Sequence, residues 1–320
     1  MNAVGKSSVV FVTLSGLFWG GWVVGSQTPE GQEALARAYE AYTTQQAAAN
    51  EDLFATDALR VLVCGGETGL QAGENACLAV VAGGKLFVVD AGSGAAQSLA
   101  RRAIPMQRLE AVLLTSAGLT QSADLDEMYA ESARGRSDAL LPVYGPADTQ
   151  RMVDGLNAAA GFDGTAQGLQ AWGPAPEPGR SVIVYEGEGL VVSAFTTQED
   201  AFNGRVGYRF DYHGRSIVVG GDGRVVSADA AANADVVLQG AQSQALAHLH
   251  QSGPTVAEAA MQARNANAGM MVLTGAGDQM AAAMQLSEAR AAGFSDVVAG
   301  RVGMLVELPL SSSDVNVRPL

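Results

Sequence analysis

The sequence predicts an α/β fold: an αββα sandwich with two sheets inside and helices outside. Three observations point there. Short apolar runs stopped by glycines recur along the body, as buried strands do. Two strand–turn–strand signals, "CLAVVAGGKLFVVDAG" (Cys77 to Gly92) and "GYRFDYHGRSIVVGGDG" (Gly207 to Gly223), each end in an acid beside a glycine. After each signal, apolar runs alternate with stretches that read as helices. Two such halves bury their apolar faces best by packing sheet against sheet. The 320 residues are enough for one large domain or two small ones.

From the N-terminus, Val9 to Gly25 reads "VVFVTLSGLFWGGWVVG" without a charge, with Lys6 before it and Glu30 after it. A membrane span needs roughly 17–25 apolar residues and a signal-peptide core only about 7–15, so residues 1–26 are expected to be an uncleaved anchor, a cleaved signal being the alternative. Lys6 on the short flank is expected to keep the N-terminus in the cytoplasm and the body outside it, in the periplasm if the cell is Gram-negative. Gly16 and Gly20, and again Gly21 and Gly25, stand four apart. That spacing lets another helix approach closely, so a membrane protein complex is the expected partner.

Residues 27–57 read as a helical connector. Thr28 is a natural N-cap with Pro29 at the first helical position, and Leu35, Ala38, Tyr39 and Tyr42 form one apolar stripe. The helix is expected over 29–49, although Gln45 to Asn50 also suits a linker. The body spans 58–310. "LRVLVCGG" is a buried strand, and the Gly83-Gly84 turn joins two more. "LEAVLLT" and "LLPVYGP" add strands, and "ADTQRMVDGLNAAAG" is a helix from Asp148 to its stop at Gly161. In the second half come the strand "GLVVSAFTT", a hairpin turning at His213-Gly214, and the strands "ADVVLQG" and "AGMMVLTG". Thr255 and Glu258 form a capping box opening the helix between the last two. "FSDVVAGRVGMLVELP" is expected to supply edge strands, with 311–320 as a tail.

Net charge is −14, from 33 acidic and 19 basic residues, and lysine occurs only at Lys6 and Lys85. Such a surface repels phosphate backbones, and no arginine-rich run compensates, so no nucleic-acid partner is expected. The two cysteines, Cys64 and Cys77, form no CxxC. One bridge in an oxidising compartment and two buried thiols both fit.

In this order, "VLVCGG", "CLAVVAGGKLFVVDAG", "LEAVLLT", "LLPVYGP", "VGYRFDYHGRSIVVGGDG", "ADVVLQG", "MMVLTG" and "GRVGMLVELP" resemble the metallo-β-lactamase superfamily, most closely its ribonuclease Z and arylsulfatase-like branch. The likeness covers about residues 58–309. It implies two metal ions gripped by HxHxDH after the strand ending in Thr115, and by a further histidine, an acid and a last histidine. Laid on this chain, those positions fall on Ser116, Gly118, Thr120 and Gln121, then near Glu199, on Asp222 and on Gly275. Only the acid, Asp222, survives.

Composition agrees. A hydrolytic zinc site needs several imidazoles with an open position, and the chain has only His213, His248 and His250. His213 sits in a hairpin turn, where a polar residue is ordinary. His250 with Asp222 is the one residual pair, and with Glu199, Asp200 and Asp278 nearby a hard cation is conceivable. No GxSxG elbow exists, Ser-x-x-Lys is impossible, and the glycines of "CGGETG" fit no nucleotide loop. The expected function is that of a membrane-tethered pseudoenzyme: no catalytic residues, no cofactor, a binding or assembly role, and room for a small molecule in the old substrate cleft. The alternative is a metal-dependent hydrolase of ester, phosphoester or sulfate ester bonds using a rebuilt site.

Overall fold

The computed structural model describes residues 28–34, 36–37, 50–65, 76–134, 139–174, 176–177, 179–197, 204–221, 225–244, 253–275 and 278–320. The chain divides into two compact units, Met1–Glu51 and Asp52–Leu320. In the first, residues 29–34 are helical, and the hydroxyl of Thr28 accepts from the backbone N–H of Gly31 at 3.1 Å, the N-cap its sequence signals. The expected anchor, with Gly16, Gly20, Gly21 and Gly25, lies outside the described residues. Among the described residues no helix is long and apolar enough to cross a membrane.

The second unit holds two mixed sheets. The first runs β15-β14-β1-β2-β3-β4-β5-β6: β1 Ala58–Val63, β2 Leu78–Ala82, β3 Lys85–Val89, β4 Leu109–Leu113, β5 Leu140–Tyr144, β6 Gly168–Trp172, β14 Met304–Pro309 and β15 Asn316–Pro319. The second runs β13-β12-β11-β10-β9-β8-β7: β7 Ser181–Gly187, β8 Leu190–Thr196, β9 Val206–Tyr212, β10 Arg215–Val219, β11 Val236–Gly240, β12 Met270–Thr274 and β13 Val297–Ala299. Each sheet begins with antiparallel strands and turns parallel, at β3–β4 in one and at β10–β11 in the other. Parallel neighbours need crossovers, and helices supply most of them. They are α1 Ala95–Arg101, α2 Leu119–Ser122, α3 Leu125–Ser132 and α4 Thr149–Ala160 in the first half, then α5 Val256–Asn265 and α6 Gln279–Ala291.

The central strands are apolar on both faces because both are covered. In β1, Leu59 and Val61 join Val80 and Phe87 against Val192, Phe210 and Ile217 of the other sheet. Leu62 faces the opposite way, towards Leu99, Leu125 and Met128 of the helices. A second outer layer packs Met271 and Leu273 against Val256, Ala260 and Ala289. The predicted αββα sandwich is therefore the observed one.

Both expected hairpins are present, turning at Gly83–Gly84 and at His213–Gly214. The capping box is complete: Thr255 Oγ1 accepts from the Glu258 N–H, and the Glu258 carboxylate accepts from the Thr255 N–H and hydroxyl. These bonds, the backbone one first, hold the Glu258 carboxyl below its ordinary value of 4.5. A lowered folded-state pKa contributes stability present above the unfolded value and lost as pH falls through the folded one. Glu258→Gln is therefore expected to flatten the acid limb of a melting-temperature profile below about pH 4.5, leaving the neutral limb lower by a roughly constant amount. An unchanged acid limb would remove this carboxylate from the pH response.

The C-terminal expectations need correction. Of the two strands expected at edges, β13 is one, ending the second sheet, but β14 lies between β1 and β15, and residues expected as a tail add β15. "NVRP" is too short and too exposed to signal a strand by periodicity; its pairing to β14 makes it one. Cys64 and Cys77 are joined by a disulfide, with Cα atoms 5.0 Å apart across the start of the β1–β2 ladder.

Candidate functional site

The candidate site lies where the loop after β4 meets the start of β9 and the end of β10. Asp90, directly after β3, takes the left-handed conformation (φ 60°) and is buried. Its carboxylate accepts from the Thr115 N–H and from the Thr115 hydroxyl, each at 2.7 Å. The carbonyl of Thr115 accepts from the Val206 N–H at 3.0 Å, tying the loop to the second sheet. Tyr208, fully enclosed, donates its hydroxyl to the Leu114 carbonyl at 2.9 Å. Burial first, and then the neighbouring Asp90, push the phenol well above its ordinary value, so it stays protonated and remains a donor.

From Thr115 the loop closes on itself. Ser116 donates its hydroxyl to Gln121 Oε1 at 2.9 Å, and the Gly118 N–H donates to Ser116 Oγ at 3.2 Å. Gln121 is buried, whereas Gly118 and Thr120 are exposed. A Cβ at Gly118 would stand 3.0 Å from Gln121 Oε1 and 3.2 Å from Ser116 Oγ, so a side chain there would press on the Ser116–Gln121 bond. The Ser122 hydroxyl also turns inward, to the Gly118 carbonyl. The polar groups of this loop bond one another rather than converging on a shared centre.

Below it, Gln239 at the end of β11 is buried and donates to the carbonyls of Gly221 and Gly240, while its Oε1 accepts from the Val226 N–H. Gly221 (φ 66°) lies under Thr115, and a Cβ there would stand 2.7 Å from Thr115 Oγ1. Sequence reasoning missed Gln239. Its only signal was a polar residue ending the apolar run "ADVVLQG".

Of the positions implied by the family resemblance, Ser116, Gly118, Thr120 and Gln121 share this loop. Gly275 is exposed after β12 with φ 84°. Glu199, Asp200, Asp222, His248 and His250 lie outside the described residues. Asp278 serves as the N-cap of α6, accepting from the Ala281 N–H at 2.7 Å. His213 is a turn residue whose ring covers Gly189. Among the described residues, no group of three or more His, Cys, Asp or Glu side chains could hold a metal ion.

Zinc wants imidazole or thiolate, and harder cations want several carboxylates. A hydroxyl, a glycine, a second hydroxyl and an amide at the four loop positions fit neither. The Ser116–Gln121 bond occupies the loop's buried amide oxygen as well.

Two mixed sheets face to face, each antiparallel and then parallel, with helices outside, define a protein of the metallo-β-lactamase fold. Solved structures agree. The metallo-β-lactamase fold protein YhfI from Bacillus subtilis superposes with a TM-score of 0.64 at 19% identity, covering 78% of this chain and all of that one. Human tRNase Z, short form, gives 0.61 at 16%, covering 78% and 99%. Curated relatives point the same way. The chain is 28% identical over 152 residues to ribonuclease Z of Mycolicibacterium gilvum (strain PYR-GCK), covering 45% of this chain and 53% of that protein. It is 30% identical over 152 residues to ribonuclease Z of Mycobacterium marinum (strain ATCC BAA-535 / M), covering 45% and 54%. The chain thus spans about half the length of the curated relatives it matches. No family model matches it. The superfamily resemblance read from the strand motifs holds.

Proposed function

We propose that this chain is a non-catalytic member of the metallo-β-lactamase fold, exported and tethered to a membrane, where it binds or helps assemble a partner. The observation that carries the reading is the loop after β4. Its four inherited ligand positions are Ser116, Gly118, Thr120 and Gln121, with Ser116 and Gln121 bonded to each other at 2.9 Å. A hydrolase of this fold would need those positions for metal-bound hydroxide.

The Cys64–Cys77 bridge supports an oxidising compartment and so the exported body. The uncharged stretch from Val9 to Gly25 supports the tether, and its glycine pairs support a membrane partner. The relatives named as ribonucleases raise RNA as a ligand. A net charge of −14 opposes it, because phosphate binding relies on Lys and Arg. A small molecule in the old cleft is compatible with this function.

The full-length protein, purified in mild detergent, is expected to lack stoichiometric zinc, iron or manganese by elemental analysis. Added chelator should leave its melting temperature unchanged, since a metal bound only to the native state would raise it. Stoichiometric metal would overturn the proposal in favour of a rebuilt hydrolytic site using Asp222 and His250. For the tether, Gly16→Ile with Gly20→Ile should release the chain from co-purifying membrane proteins without reducing its insertion. A mature protein beginning near Ser26 would exclude the anchor.

A further inference from the structure

The loop from Thr115 to Ser122 is held from below by residues 90–92, and that support can be followed outward to the disulfide. Asp90 accepts both bonds from Thr115, and the Ala91 N–H donates to the Gln121 carbonyl at 2.7 Å. Gly92 is wedged between two backbones. Its N–H donates to the Ala76 carbonyl at 2.8 Å. A Cβ on it would stand 2.7 Å from the Thr120 carbonyl and 2.8 and 2.9 Å from the Ala76 carbonyl and nitrogen. Ala76 adjoins Cys77, whose carbonyl accepts from the Cys64 N–H at 3.0 Å and whose sulfur is bonded to Cys64. The bridge, Ala76, Gly92 and the carbonyl of Thr120 therefore form one continuous stack of covalent bonds and close backbone contacts.

We propose that the Cys64–Cys77 disulfide is the fastener of this loop, so that losing the bridge loosens residues 115–122 while both sheets stay folded. The proposal rests on the metal-free reading of the loop, since a bound metal would hold it independently. Cross-linking residues 64 and 77, with a sequence separation of 13, removes freedom from the segment that carries Ala76. Without that constraint Ala76 can withdraw from Gly92, and the floor under Thr120 and Gln121 goes with it. The two sulfurs belong to buried residues, so substitution tests the link more cleanly than reductant.

Hydrogen exchange read by mass spectrometry on the full chain, wild type against Cys64→Ala with Cys77→Ala, decides the matter. Backbone amides of 90–92 and 115–122 should exchange roughly tenfold to a hundredfold faster, while those of the β9–β10 hairpin keep their protection. Gly92→Ala, with the bridge intact, should accelerate the same amides because its Cβ has no room. Acceleration confined to residues 65–77 would overturn the proposal, as would a uniform gain across both sheets. If the double variant fails to fold, the bridge is a global rather than a local fastener, and the proposal also fails. Metal content measured on the same sample separates the two readings: stoichiometric zinc defeats the metal-free site, whereas exchange alone judges the fastener.

Discussion

Asp90→Ala is expected to destabilise the body by about 4–7 kcal/mol. The carboxylate accepts two hydrogen bonds from Thr115, both inside the protein, and bonds to a charged group are worth about 1.5–3 kcal/mol each. Alanine would also have to hold the left-handed conformation that Asp90 adopts, at a further cost of about 1 kcal/mol. Asp90→Asn should lose much less. Asparagine tolerates that conformation, and its amide oxygen still meets the Thr115 N–H. Equilibrium unfolding in urea reads both variants, with a shift in midpoint at constant slope as the expected form. Equal losses in the two variants would mean that the charge matters more than the two bonds from Thr115.

Arg215→Ala should cost somewhat less, about 3–5 kcal/mol, at the opposite end of β10. Arg215 is enclosed at the start of β10. Its guanidinium donates to the carbonyls of Pro309, Ser312, Ser313 and Asp314 and pairs with Asp235 at 3.0 Å. Removing it leaves several carbonyls of the β14–β15 connection without their buried donor, and Asp235 without its partner. The loss should be local in origin, so amides of β15 should lose hydrogen-exchange protection before those of β2 and β3. A loss below about 1 kcal/mol would class it with exposed ion pairs, which contribute that little.

Much of this architecture can be read in the sequence because its signals are local. Gly83-Gly84 and His213-Gly214 force turns, and the runs between them are apolar on both faces. Thr255 with Glu258, and Gly161 after its helix, mark helix ends by chemistry that needs no distant partner. β15 escaped because exposed residues become a strand only by pairing with β14. The site divided along the same line. Residue types at 116, 118, 120 and 121 reveal what chemistry is missing. The inward hydrogen bonds of Ser116 and Gln121, and the brace from Gln239, depend on side chains meeting across loops.

The position of β14 has a consequence for synthesis on the ribosome. β1 pairs with β2 on one side and with β14 on the other, joining residues about as far apart as Arg60 and Glu307. Translation therefore delivers the whole second sheet before the first can be completed. Until residues 304–309 emerge, the nascent chain carries β1 with a bare row of backbone donors and acceptors, and an unpaired edge of that kind invites association between chains. The growing polypeptide keeps this edge open until β14 emerges. A chaperone acting on it would have to shelter β1 until β14 arrives.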